Sequence, residues 1–220
     1  MDTGATGYFV QKFLKTQVAP NSMAKPPLIC LIGAECTGKS TLAQALAGHF
    51  SALWVPEQLR AFCALHGRTP LAGEQALIMR AQFEQEEQMA AWAEKTSRPY
   101  VFCDGAPLLT AIYSDYYFSD RSLFEQAQAW HMRYALTLFL QADLPWEPDG
   151  LLRDGASVRG AIHLRVRQAL EAMRCPHIEV SGAGDSRLQA AILALKAGGK
   201  QTSERPSSSN SNCPGAPPRP

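Results

Sequence analysis

The stretch Leu28 to Leu46, LICLIGAECTGKSTLAQAL, joins a continuous apolar run to a glycine-bounded loop and then to a helical pattern. Gly33-Ala34-Glu35-Cys36-Thr37-Gly38-Lys39-Ser40 satisfies GxxxxGK[ST] at every fixed position, behind a strand and ahead of a helix, which is the context the pattern requires. Glycines let the backbone curl so that successive N–H groups turn inward, and the positive end of the following helix adds to them. Such a cradle holds phosphates. Lys39 would reach the terminal ones, Ser40 would offer its hydroxyl to Mg²⁺, and Thr41 would extend the phosphate contacts.

A strand–loop–helix of this kind predicts an α/β chain, and the rest of the sequence continues it. Strand candidates are 27–32, 52–56, 100–104, 136–142 and 177–182; they are continuously apolar rather than alternating, as in a sheet covered on both faces. Helical patterns fill the gaps at 40–50, 73–95, 122–134, 158–174 and 186–196. The expected architecture is a P-loop NTPase-like three-layer sandwich with a five-stranded, mainly parallel sheet and an arginine-bearing lid. Ligands in such sheets bind beyond the carboxyl ends of the strands. Residues 1–26 read as a poorly ordered N-terminal extension, 27–197 as one kinase-like domain, and 198–220, dominated by Ser, Pro and Gly, as a disordered tail.

Twenty-one basic against 20 acidic residues give a formal net charge of +1, so no broad field draws the chain to nucleic acid or to anionic lipid. The six cysteines form no CxxC pair, which suits free thiols in a reducing cytosol. No apolar run approaches the roughly 18 residues of a spanning helix. A cytoplasmic protein without membrane or nucleic-acid partners is expected; the sequence leaves its oligomeric state open.

A phosphate loop alone leaves GTPase, motor ATPase, kinase and passive sensor open. No guanine-reading NKxD follows a strand, and the second acidic strand end, VFCDGAP, carries Asp104 without a neighbouring glutamate to activate water. Transfer to a bound acceptor fits better than hydrolysis. WVPEQLR brings Glu57 and Arg60 to another strand end, where a carboxylate could take the proton of an attacking hydroxyl and an arginine could bind acceptor or phosphate oxygens. The plainer alternative is a helix-capping glutamate with an exposed arginine one turn on. Asp104 is the other carboxylate at the centre, either holding Mg²⁺ through water or serving as the base itself. On the long helix Gln82 and Glu86 share a face, which either reaches the acceptor or is ordinary polar surface.

LFLQADLPWEPDGLLRDGASVRG leaves a buried strand for an irregular segment with Trp146, Asp149, Arg153 and Arg159. A lid closing over phosphoryl transfer needs such arginines to neutralise developing charge and exclude water. Trp146 offers a flat face for a ring or is a plug on the core, and Asp149 offers an acceptor for ribose hydroxyls or a partner for a cation. The last strand runs into SGAGDSR, a glycine-bearing turn.

These motifs in order, GAExTGKST, WVPEQLR, VFCD, LPWEPDGLLRD and HIEVSG, resemble the ribosylnicotinamide kinase domain of the NadR type, among the P-loop small-molecule kinases. The resemblance covers about residues 27–196. It implies Mg²⁺-dependent transfer of the ATP γ-phosphate to the 5′-hydroxyl of nicotinamide riboside, with Trp146 stacked on the pyridinium, Asp149 near the substrate and an arginine after Gly150 on the phosphates. The adenine is then expected beside the SGAGDSR turn. The chain reads DGLLRD where many relatives read Asp-Gly-Leu-Arg, and Gly105 follows Asp104 where relatives often carry Thr. The helix-turn-helix and adenylyltransferase domains of those regulators are not in these 220 residues, so DNA-binding regulation is not carried over.

The expected site therefore has Lys39, Glu57, Asp104, Arg153 and Arg159 as catalytic groups, and Gly33 through Thr41 around the nucleotide. Glu57, Arg60, Trp146 and Asp149 would face the acceptor, and Ser40 and Asp104 the metal. A kinase for another acceptor, such as a deoxynucleoside, and a non-catalytic ATP-binding sensor are the alternatives.

Overall fold

The computed structural model describes residues 25–146 and 155–201. Five strands, β1 (Leu28–Ile32), β2 (Leu53–Val55), β3 (Val101–Asp104), β4 (Leu136–Leu140) and β5 (His177–Val180), form one sheet in the order β2-β3-β1-β4-β5. All four pairings are parallel, beyond the mainly parallel sheet expected, with Leu31 beside Asp104 and Ile32 beside Phe139. Every β1 residue is buried, the behaviour of a strand covered on both faces.

Among the described residues seven helices connect and cover the strands: α1 (Lys39–Phe50), α2 (Gln58–His66), α3 (Gln75–Lys95), α4 (Pro107–Phe118), α5 (Phe124–His131), α6 (Ala156–Ala172) and α7 (Gly184–Gln201). Alternate strand residues divide the core. Ile29, Leu31, Leu138 and Leu140 face Leu42 and Leu46 of α1 and Ile192 and Leu195 of α7. On the other face Cys30, Ile32 and Phe139 meet Met79 of α3, Ile112 of α4 and Ile162 of α6. That is the three-layer sandwich expected.

Two helices are absent from the sequence reading. Only two residues separate β2 from α2, and the apolar, tyrosine-rich α4 carries little amphipathic signal because seven of its residues are buried. Pro107 at its first turn is the start signal that was there to be used. The helix expected at 122–134 is shorter, and α7 runs past Lys196 to Gln201. The expected arginine lid, with Asp149 and Arg153, lies outside the described residues, as do 1–24 and 202–220.

β1 is flanked by β3 on one side and β4 on the other, so the winding direction reverses there. The crevice beyond its carboxyl end is where such sheets take ligands.

Candidate active site

β1 leads into the glycine loop at that crevice. A Cβ on Gly33 would stand 2.9 Å from the Leu140 carbonyl oxygen and 3.0 Å from Thr37 Oγ1, so only glycine lets the loop pack against β4. Gly38, at φ +76°, turns the chain through the left-handed region into α1. Thr37 Oγ1 donates to the Ala34 carbonyl at 2.8 Å and braces the turn. Lys39, only 7% exposed, donates its Nζ to the carbonyls of Gly33 and Ala34 at 3.1 and 3.0 Å.

The loop opens on a cavity of about 370 Å³. Glu35 through Thr41 line it together with Asp104 and Glu57 and with Trp54, Pro56, Leu59, Arg60 and Tyr113. The structure thus brings together the loop residues Glu35 to Thr41 and the expected Glu57, Arg60 and Asp104. Gly33 and Ala34 are buried and are not among the lining residues. Trp54 and Tyr113 were not anticipated. Trp54 had been absorbed into a core strand, yet it stands on the edge strand three residues before Glu57. Tyr113 belongs to the helix that was not read.

Asp104 ends β3 almost fully buried and takes a hydrogen bond from the Ser40 hydroxyl. Burial raises its pKa, and the nearby Lys39, Ser40 and Arg60 work against that rise. Glu57 behaves alike: burial raises it, Lys39 opposes and the Asp104 charge adds to the rise. Two carboxylates thus sit near one lysine, and the charge of Asp104 favours the proton on Glu57. Asp104 Oδ1 is buried with no hydrogen-bond partner among the described residues. An unpartnered carboxylate oxygen next to a serine hydroxyl suits Mg²⁺, which binds through one or two protein oxygens while phosphates and waters complete its shell.

Glu57 occupies the N-cap position of α2, as the plainer alternative held, but its side chain makes no capping hydrogen bond. Glu57 lines the cavity instead, with its side chain beside Gly105.

Arg159, on α6 and 7% exposed, donates to the carbonyls of Leu144 at 2.8 Å and Cys36 at 3.3 Å. It ties the phosphate loop to the segment after β4. Trp146 is half-buried, is not among the residues lining the cavity, and its Nε1 has no partner among the described residues. Arg187, on α7, was missed: it donates to the carbonyls of Thr37, Gln141 and Gly182 and pairs with Asp143, whose other oxygen accepts from Gly182 N at 2.7 Å. One buried guanidinium therefore joins the phosphate loop, the end of β4 and the turn after β5. Among the described residues no helix is long and apolar enough to cross a membrane.

The AAA domain model matches residues 28–187. The chain belongs to the AAA domain family. Within it, 151 residues are 26% identical to the trifunctional NAD biosynthesis/regulator protein NadR of Salmonella typhimurium, a match covering 67% of this chain and 35% of that protein. The chain thus spans about a third of the length of the curated relatives it matches. Among solved structures, NadR protein in complex with NR superposes with a TM-score of 0.63 at 16% identity, over 78% of this chain and 51% of that one. Thymidylate kinase from Ehrlichia chaffeensis gives 0.55 at 14% identity, over 79% and 99%. This AAA domain resembles the NadR type and shares its fold with those two structures.

Proposed function

We propose that this AAA domain transfers the γ-phosphate of ATP to the 5′-hydroxyl of nicotinamide riboside. The observation that carries the reading is the single cavity that Lys39 and Ser40 line together with Asp104 and a Glu57 carboxylate that is not spent on capping its helix. A hydrolase has no need of a walled second half; an acceptor does.

The backbone N–H groups of the loop hold the triphosphate, and Lys39 swings from the carbonyls of Gly33 and Ala34 onto its terminal oxygens. Ser40 and Asp104 would hold Mg²⁺, which when bound neutralises charge on the β- and γ-phosphates. Glu57, raised by burial, takes the proton of the acceptor hydroxyl as the new O–P bond forms and the bond to the β-phosphate oxygen breaks. Arg60 lies where it can hold acceptor or phosphate oxygens. Trp54 and Tyr113 offer flat apolar faces to the acceptor's ring. A pyridinium is favoured there because the lining carries Glu35, Glu57 and Asp104 against Lys39 and Arg60. Arg159 acts through the phosphate loop that it holds by the Cys36 carbonyl, and Arg153 and Asp149, outside the described residues, are proposed on the phosphate and ribose sides. Trp146 does not line the cavity, so Trp54 is the better candidate for the stacking ring.

The test is ADP release from ATP and Mg²⁺ across a panel of nucleosides. Turnover dependent on nicotinamide riboside is the expected result. Turnover with deoxynucleosides alone would reassign the acceptor, and ATP binding without any acceptor-dependent turnover would make the domain a nucleotide sensor.

A further inference from the structure

Glu57 stands at the start of α2 without capping it, and a neighbouring helix holds the first amide. Gln58 N, the first amide of that helix, donates to Gln82 Oε1 of α3 at 3.0 Å. Gln82 Nε2 in turn donates to Glu86 Oε1 at 2.7 Å, and Glu86 Oε2 accepts from Tyr134 Oη at 2.8 Å and from Arg133. Gln82 and Glu86 are 3% and 0% exposed and do not line the cavity. They are neither ordinary polar surface nor acceptor contacts.

The chain of donors leaves Gln82 one orientation. Gln58 N–H can only donate, so the Gln82 carbonyl must face it, and its NH₂ then faces Oε1 of Glu86. Gln58 is the first residue of α2, and its amide is one that the side chain of the preceding residue does not cap, because an N-cap side chain takes the second or third amide of the helix. We propose that Gln82, oriented by Glu86, is a positioning residue that pins the first amide of α2 from a neighbouring helix and thereby fixes Glu57, the residue immediately before it, in the lining of the cavity. The proposal rests on the reading of Glu57 as the base. It gives the buried polar stripe of α3 a task that core packing does not explain.

The experiment compares Gln82→Met, Glu57→Gln and the swapped pair Gln82→Glu/Glu86→Gln, each first shown by thermal melting to be folded at the assay temperature. Gln82→Met keeps the side chain's length and loses the acceptor. Its kcat should fall about 10²-fold, the scale of an ångström-size misplacement, while both KM values stay within about threefold. In the swapped pair the carboxylate introduced at 82 accepts from Gln58 N, and the amide introduced at 86 donates to it and accepts from Tyr134 and Arg133. That pair should return kcat to within about threefold of the parent. A merely structural role would lower the melting temperature of Gln82→Met without that rescue.

If Glu57→Gln is inactive but folded Gln82→Met keeps its kcat, the positioning role is overturned and the base reading stands. If Glu57→Gln keeps its kcat, or if no nucleoside is phosphorylated by the parent chain, both fall. Should Gln82→Met not fold, the swapped pair decides alone: recovered kcat supports the proposal, and a pair that is inactive or unfolded overturns it.

Discussion

The α-carbon of Gly105 faces the side chain of Glu57: a Cβ built there would lie 3.6 Å from Glu57 Cγ and 3.8 Å from Oε1, which is ordinary contact. Space is therefore available for a methyl group; the backbone is the obstacle, because Gly105 has φ +83°. Gly105→Ala should cost about 1 to 2 kcal/mol through its left-handed conformation and lower Tm by about 3 to 6 °C, while kcat changes little. Gly105→Thr, β-branched at the same φ, should lose more stability and also press on Glu57. Thermal melting with steady-state kinetics checks both, and an alanine variant as stable as the parent would contradict the account.

Two tryptophans are candidates to stack on the ring of the proposed acceptor. Trp54 lines the cavity, as do Pro56 and Tyr113, whereas Trp146 does not. Trp54→Leu keeps an apolar side chain against the α1 core, of which Trp54 is a partly buried neighbour, but removes the indole face. For a cationic acceptor the loss of about 1 to 2 kcal/mol should raise its KM roughly 5- to 30-fold and leave the KM for ATP nearly unchanged. Trp146→Leu should move the acceptor KM less. The reverse ranking would return the stacking role to Trp146.

The strands and the phosphate loop were legible because doubly covered strands are unbroken apolar runs and GxxxxGK[ST] demands its own context. Glu57 and Asp104 were legible because strand ends at a winding reversal face the ligand crevice. Trp54 was hidden because a tryptophan inside an apolar run reads as core. Gln82 and Glu86 left a usable trace: they fall in register with Ile78, Met79, Ala90 and Ala93 on the buried stripe of α3, and polar groups on such a stripe must find partners. Arg187 left one too, a cation in the first turn of a helix, where the helix dipole opposes it unless carbonyls or a carboxylate hold it. What no pattern supplies is which distant element provides the partner, as Arg133 and Tyr134 do for a glutamate 47 and 48 residues earlier.

Glu86 should also be readable in the pH dependence of stability. Burial raises its pKa to about 7, against the opposing pull of Arg133, Gln82 and Tyr134. A carboxyl raised in the folded state binds its proton more tightly there than in the unfolded chain. Its contribution is therefore full below the unfolded value of 4.5 and is lost as pH rises through about 7. From this group alone, stability should decline by about 3 kcal/mol between those limits. Glu86→Gln should flatten that slope in denaturant titrations at pH 5, 6 and 7.5, and a parallel decline in parent and variant would remove Glu86 as its source.

Arg187 is the junction that a substitution should expose most clearly. It is 4% exposed and donates to Gly182 O at 2.6 Å and Gln141 O at 3.3 Å, as well as to Thr37 O. Its anionic partner, Asp143, is 35% exposed, so solvent screens the pair and the carbonyl contacts carry more of the energy. Arg187→Met keeps much of the apolar stem and leaves those buried carbonyls unpaired. It should cost about 3 kcal/mol, or about 6 to 12 °C in Tm. Because Thr37 belongs to the phosphate loop, ATP affinity should fall as well; binding measured by calorimetry on protein still folded at the assay temperature reports that part separately. Asp143→Asn retains an acceptor for Gly182 N and should cost well under half as much. If the two variants are equally destabilised, the charge pair rather than the carbonyl contacts holds the junction together.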